Sequence, residues 1–139
     1  MSQENVEIVR QLYAGLNSGV RADAFSDDVL ATIFDPAIEV QQLGDLAGTS
    51  GTFHGYEGLR QAQRELDEAL QGVRFEPLDH AANGDLVGFA VKASGIGQAS
   101  GAPVDISVGH LFELRSGRII RWVVLGQPKQ ALEAVGLRE

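Results

Sequence analysis

A single histidine, His110, stands on a regular apolar strand face and is the first candidate for chemistry in this sequence. In the segment from Asp105 to Gly126, Ile106, Val108, His110, Phe112 and Leu114 fall on one side at period two, so one imidazole sits among four apolar side chains. An imidazole so placed is either a core group satisfied by a neighbour or an acid or base facing a pocket. Burial disfavours its charged form, and a neutral ring can accept a proton at one nitrogen while donating at the other. Gln42 carries an amide inward on another short alternating strand (Ile38, Val40 and Gln42 against Glu39 and Gln41). A buried amide must be hydrogen-bonded, so Gln42 either supports His110 and fixes its tautomer or orients a ligand; it cannot act as a base. Asp45, three residues further on, is a solvated loop acid or the nearest carboxylate able to swing over a pocket mouth. Tyr13 and Trp122 are residue types that belong to cores, yet either can present a polar tip to a ligand.

Other constellations are absent from the chain. The three histidines show neither H-x-H nor H-E-x-x-H spacing and cysteine is missing, so no metal site is expected. There is no phosphate-binding P-loop, and GIGQASG lacks the strand-to-helix setting of a dinucleotide fingerprint. No G-x-S-x-G elbow occurs. Chemistry, if any, is expected to be proton transfer without a cofactor.

The elements that position these residues read in order as helix, helix, strand, helix and four antiparallel strands. Val6, Ile8, Val9, Leu12, Tyr13 and Leu16 share one arc of a first helix, which Asn17-Ser18-Gly19 stops. Residues 22–34 read as one or two short helices ended by Pro36. Residues 43–55, with four glycines and no strong period, read as a mobile loop. Residues 56–71 form a helix with Leu59, Ala62, Gln63, Leu66 and Leu70 inward. Strands over 73–82 and 86–93 meet at Asn83-Gly84-Asp85, a hairpin signal, and residues 95–103 form a second loop. The two long strands of 105–126 then turn at Ser116-Gly117. Ile120, Trp122 and Val124 fall on one face of the last strand and Ile119, Val123 and Leu125 on the other, which requires cover on both sides. Pro128 opens a short C-terminal helix.

The length of 139 residues suits one domain spanning 1–139, with an ordinary apolar fraction of 44%. Net charge is −8, from 19 acidic and 11 basic residues, and no basic patch is present, so nucleic acid and anionic membrane surfaces are not expected partners. No apolar run reaches the ~20 residues needed to span a bilayer, and the N-terminus does not read as a signal peptide; a cytoplasmic location is the expectation.

The order of elements, with the strings VRQLYAGLNSG, FDPAIEV, GTFHGYEGLRQ, HLFELRSGRIIRW and ALEAVGLRE, resembles the nuclear transport factor 2-like superfamily. Its SnoaL-like polyketide cyclase and ketosteroid isomerase branch is the nearest match. The resemblance implies an α+β fold: a strongly bent, mostly antiparallel sheet wrapped around N-terminal helices, enclosing a cone with an apolar pocket. It also implies a homodimer through the outer sheet face. Ketosteroid isomerases use a carboxylate base with a tyrosine and a protonated acid as oxyanion donors. On this chain the resemblance places the base at Gln42, the acid at His110 and the tyrosine at Leu12, with Tyr13 turned by ~100°. None of the three groups is kept in kind, so steroid isomerisation by that route is not expected.

Three readings follow. In the first, the protein is a cofactor-free isomerase, cyclase or lyase on a small, mostly apolar molecule. His110 is then acid or base, Gln42, Asp45 and Tyr13 assist, Val40, Phe112 and Trp122 line the cone, and loop 43–55 is a lid. In the second, the same cavity binds a small apolar ligand without turnover. In the third, the protein is a structural dimer with a cavity filled by its own side chains. Fold alone does not choose between them.

Overall fold

The computed structural model of the chain describes residues 2–18, 25–46 and 49–136. Its elements are α1 (Ser2–Leu16), α2 (Asp27–Leu30), β1 (Phe34–Leu46), β2 (Thr49–His54), α3 (Gly55–Ala69), β3 (Leu70–Asn83), β4 (Leu86–Gly97), β5 (Pro103–Arg115), β6 (Arg118–Leu125) and α4 (Pro128–Gly136). The architecture is α+β, with one open six-stranded sheet in the order β2-β1-β6-β5-β4-β3. All neighbours are antiparallel except β1 and β6, which run parallel.

The β5–β6 hairpin is the centre of this sheet. Its two-residue turn, Ser116-Gly117, has φ of 53° and 80°, the pair of positive angles that a type I′ turn demands. Arg115 therefore pairs with Arg118, and the register runs on to His110 opposite Val124. Along β5 the period-two pattern holds, with Val108, His110, Phe112 and Leu114 all buried in the core. On β6 it does not. The register shifts between the Glu113–Arg121 and Leu114–Ile119 pairs, so Ile120 sits in a bulge and parity changes there. Ile119 joins Trp122 and Val124 on the core side, while Ile120 does not share their face. Strict alternation misplaces both residues because a bulge adds one residue without a partner.

Among the described residues of 43–55 the expected loop is strand up to His54. β1 continues to Leu46 and β2 returns along it, with Glu39 opposite His54 and Gln42 opposite Gly51. Among the described residues the expected lid of that length is replaced by the pairing of β1 with β2. Thr49, Thr52 and Phe53 favour extended backbone, and pairing with β1 satisfies it despite the glycines. Residues 47–48, between the two strands, lie outside the described residues, as do residues 19–24 and so part of the expected short helices. Pro36 does not end a helix either; α2 is one turn, capped by Ser26, and Pro36 lies within β1.

The helices cover both faces. α1 buries Val6, Val9, Leu12 and Tyr13, and α3 buries Leu59, Ala62 and Leu66, against the concave side. Asn17, just past α1, fixes that helix to the edge strand β3: its Nδ2 donates to the Phe75 carbonyl at 2.7 Å, and the Phe75 N–H donates to its Oδ1 at 2.8 Å. α4 packs on the opposite side over Gly88 of β4 and Gly109 of β5. A Cβ on Gly88 would fall 2.4 Å from the Ala131 carbonyl oxygen, and one on Gly109 would fall 2.8 Å from that of Gln127. This close approach explains why Val87 through Val91 are buried on both sides of β4. No helix among the described residues is long and apolar enough to cross a membrane.

Candidate functional site

Between α1, α2, α3 and the concave sheet face lies a cavity of about 140 Å³. Its wall is mostly apolar, with Phe25, Val29 and Leu30 on the α2 side, Phe75 from β3, and Val40 and Val124 from the sheet floor. Val29, 48% exposed, stands where the cavity meets solvent. The α2 side is held in place by Arg60 of α3, whose Nη2 donates to the Phe25 carbonyl at 2.9 Å and to Asp27 Oδ1 at 2.8 Å. The polar side chains in the wall are Gln42, Gln63, His110 and Trp122. Among the described lining residues there is no carboxylate, lysine or arginine.

His110 is 1% exposed, and burial lowers its pKa from 6.5 to about 3, so it is neutral at physiological pH. Its Nδ1 lies 2.8 Å from the Tyr13 hydroxyl, and the two rings stack at 5.8 Å. Burial pushes the Tyr13 phenol well above its ordinary value of 10.0, so it keeps its proton. The Tyr13 hydroxyl has no other hydrogen-bond partner among the described residues. A buried phenolic proton needs an acceptor, and Nδ1 is the acceptor at hand. Tyr13 therefore donates to Nδ1, which puts the ring proton of His110 on Nε2. Nε2 has no hydrogen bond among the described residues, and His110 is part of the cavity wall. The imidazole thus offers a donor, not a base, to whatever occupies the cavity.

The sequence-derived site residues divide. His110, Gln42, Val40 and Trp122 all line the cavity. Tyr13 does not line it; it stands behind His110, while Leu12, one residue back and turned the other way, does. Phe112 is fully buried and packs edge-on to His110 with ring centres 5.9 Å apart, behind the wall and not in it. Gln42 does not set the His110 tautomer. Both residues pair with Val124 of the intervening strand, which separates their backbones by two strand spacings, roughly 10 Å. The Asp45 side chain lies outside the described residues. His54 stands at the N-cap of α3 without a side-chain cap bond, 3.9 Å from Glu39, and His80 is exposed; both are remote from the cavity wall.

Two features were missed in the sequence. The α2 segment forms one wall of the cavity, held by the Arg60–Asp27 pair that only the fold brings together. Tyr13 bonds His110 across 97 residues, which no local pattern reports. Trp122 has its indole Nε1 buried with no hydrogen-bond partner among the described residues. Its ring lies 5.4 Å from that of His110 at 77° and stacks on Phe34 at 6.3 Å. Among the described residues no group of three or more His, Asp or Glu could hold a metal ion.

This open sheet around α1 and α3, with a cavity between, is the fold of nuclear transport factor 2-like proteins. The SnoaL-like domain model matches residues 9–122, and the chain belongs to that family. No functionally curated protein matches it. Solved structures similar to it include TerC co-crystallised with polyporic acid, 20% identical, with a TM-score of 0.72 over 95% of this chain and 97% of that one. A Catenulispora acidiphila protein of ketosteroid isomerase-like fold, in complex with trimethylamine, is 18% identical with a TM-score of 0.72 over 94% and 92%. An NTF2-like protein from Burkholderia xenovorans is 21% identical with a TM-score of 0.70 over 97% of both chains. At these identities the likeness establishes the fold.

Proposed function

We propose that this protein binds a small, mostly apolar molecule in the cone, with His110 as a fixed hydrogen-bond donor. The observation that carries this reading is the cavity of about 140 Å³, whose apolar wall contains a neutral histidine locked by Tyr13. An apolar cavity of about 150 Å³ is large enough to take benzene, so the expected occupant has one ring or its equivalent in chain. Binding comes first because a histidine held as a donor with a pKa of about 3 is a poor proton acceptor. Cofactor-free catalysis of isomerase, cyclase or lyase type is the second reading. It is favoured by the same buried donor, which would polarise a carbonyl oxygen, and it would need a base for which Asp45 is the candidate. In both readings the protein works in the cytoplasm as a homodimer.

The test is thermal. Saturating benzene or methylenecyclohexane should raise the melting temperature of the wild type, by an amount equivalent to about 2.7 kcal/mol at 100 times Kd. Ala62→Phe, which fills the cavity from α3, should abolish the rise. If neither these hydrocarbons nor cyclohexanone, which carries an acceptor for the His110 donor, raises the wild-type melting temperature, the cavity is not a binding site and the structural-dimer reading is favoured instead.

A further inference from the structure

The wall on the α2 side, residues 25–33, is joined to the rest of the protein at its two ends. At the C-terminal end the Ile119 N–H of β6 donates to the Ile33 carbonyl at 2.8 Å, where Phe34 begins the pairing of β1 with β6. At the other end Arg60 of α3 holds the Phe25 carbonyl and Asp27 Oδ1 through Nη2. The backbone bonds in between are internal to the segment: the N–H groups of Leu30, Ala31, Thr32 and Ile33 donate in turn to the carbonyls of Ser26, Asp27, Val29 and Leu30. Ser26 Oγ accepts from the Val29 N–H at 3.3 Å, and the Thr32 hydroxyl donates to the Val29 carbonyl at 2.7 Å. The segment therefore holds its own shape and can move as a unit. Its two anchors differ in strength. The Ile33 bond lies beside Ile119, which is fully buried, whereas the Asp27 side chain is 71% exposed. An ion pair open to water exchanges its bonds with solvent at little net cost. Glu57 Oε1 stands 3.6 Å from Arg60 Nη1, so the guanidinium keeps a carboxylate when Asp27 leaves.

Resting on the binding reading above, we infer that residues 25–33 are the gate of the cavity, hinged at Ile33 and latched by Arg60 on Phe25 and Asp27. Phe25, Val29, Leu30 and Ile33 of this segment line the cavity, and Val29 stands at its mouth. The other sides give way less readily. α1 and α3 are 15-residue helices that each bury a stripe of side chains, and the floor is paired sheet. Displacing either helix uncovers its whole stripe, whereas α2 is one turn whose buried side chain is Leu30. Apolar exposure opposes opening in proportion to area, so the short segment opens most often. The latch governs how often a ligand crosses and not how well it fits, because neither Arg60 nor Asp27 lines the cavity. Weakening it speeds entry and exit together, and affinity stays nearly unchanged while the open state remains rare.

The experiment measures benzene exchange by NMR, as magnetisation transfer between free and bound signals, with cyclohexanone in its place should benzene not bind. Asp27→Ala removes one latch bond and should raise the entry and exit rates about fivefold, since one hydrogen bond is worth roughly that factor. Kd should change by less than about twofold, because the bound state is untouched. Arg60→Met keeps the side-chain stem, removes both bonds and should raise the two rates further. Raising salt from about 0.05 M to about 0.5 M should quicken exchange in the wild type and not in Asp27→Ala, because it screens the ion pair. Unchanged rates in both variants, with the probe bound, overturn the gate and leave the binding reading intact. A faster exit with an unchanged entry rate, and so a matching loss of affinity, also overturns it, because the pair then shapes the bound state. Failure of both probes to bind the wild type removes the binding reading and the gate together. Should Arg60→Met fail to fold, Asp27→Ala decides, since it alters an exposed side chain.

Discussion

The Tyr13 hydroxyl donates to His110 Nδ1 at 2.8 Å, inside the core and across 97 residues of chain. This one bond decides which nitrogen of the imidazole carries its proton, and so what the cavity wall offers. Removing the hydroxyl in Tyr13→Phe should cost about 1–3 kcal/mol, because Nδ1 is left buried without a partner. Nitrogen chemical shifts of the His110 ring should report the Nε2–H tautomer in the wild type and a mixture in the variant. A wild type in the Nδ1–H form would show that Tyr13 accepts rather than donates. The double variant Tyr13→Phe/His110→Phe should lie closer to wild-type stability than Tyr13→Phe, since it leaves neither group unpaired.

Stability should fall with pH through the range that His110 governs. The folded pKa of about 3 lies below the ordinary 6.5, so between these values the unfolded chain binds a proton that the folded chain does not. The contribution is full above pH 6.5 and is lost on acidification at up to about 1.4 kcal/mol per pH unit until about pH 3. Other groups titrate over the same range, so the informative quantity is the difference between wild type and His110→Gln in chemical denaturation from pH 7 to pH 4. That difference should shrink as pH falls. A difference that stays constant would mean His110 is not held neutral.

The contact of α4 with the sheet leaves no room for a side chain at Gly88, where a Cβ would meet the Ala131 carbonyl oxygen. Gly88→Ala should therefore cost about 1–3 kcal/mol, as overpacking does, or release α4 from the sheet. Hydrogen exchange would separate the two outcomes, because release speeds the α4 amides selectively. A variant of unchanged stability and exchange would mean that the close approach is not kept in solution.

Self-association is expected through the outer face of β5 and β6 beside α4, where the half-buried Leu111 and Leu125 share a side. A stable interface there should bury on the order of 1,200–2,000 Å². Sedimentation equilibrium at micromolar concentration should give a dimer, and Leu111→Glu should shift it to monomer. A wild-type monomer at that concentration removes the expectation.

Much of this was legible in the residue order. Period two along β5 put His110 on the core face beside Val108 and Phe112. Helical spacing in α1 and α3 chose the sides that are buried, and Ser116-Gly117 announced the central turn. These signals are local, because backbone geometry repeats over a few residues and burial follows that repeat. Gln42 and Trp122 were also legible, as polar groups on strands whose inward side was evident. Where local signals competed they misled: the glycines of residues 43–55 read as loop, but the unpaired backbone of β1 gave that stretch a strand to join. The bulge at Ile120 was invisible because it exists only in the pairing of two strands. What only the tertiary structure decided is the partner of His110. The sequence pointed to Gln42 as that partner, whereas the fold sets Tyr13 there at 2.8 Å and leaves Gln42 two strands away. The physical reason is that a tautomer depends on one hydrogen bond between distant segments, and its direction follows from what else the hydroxyl can reach.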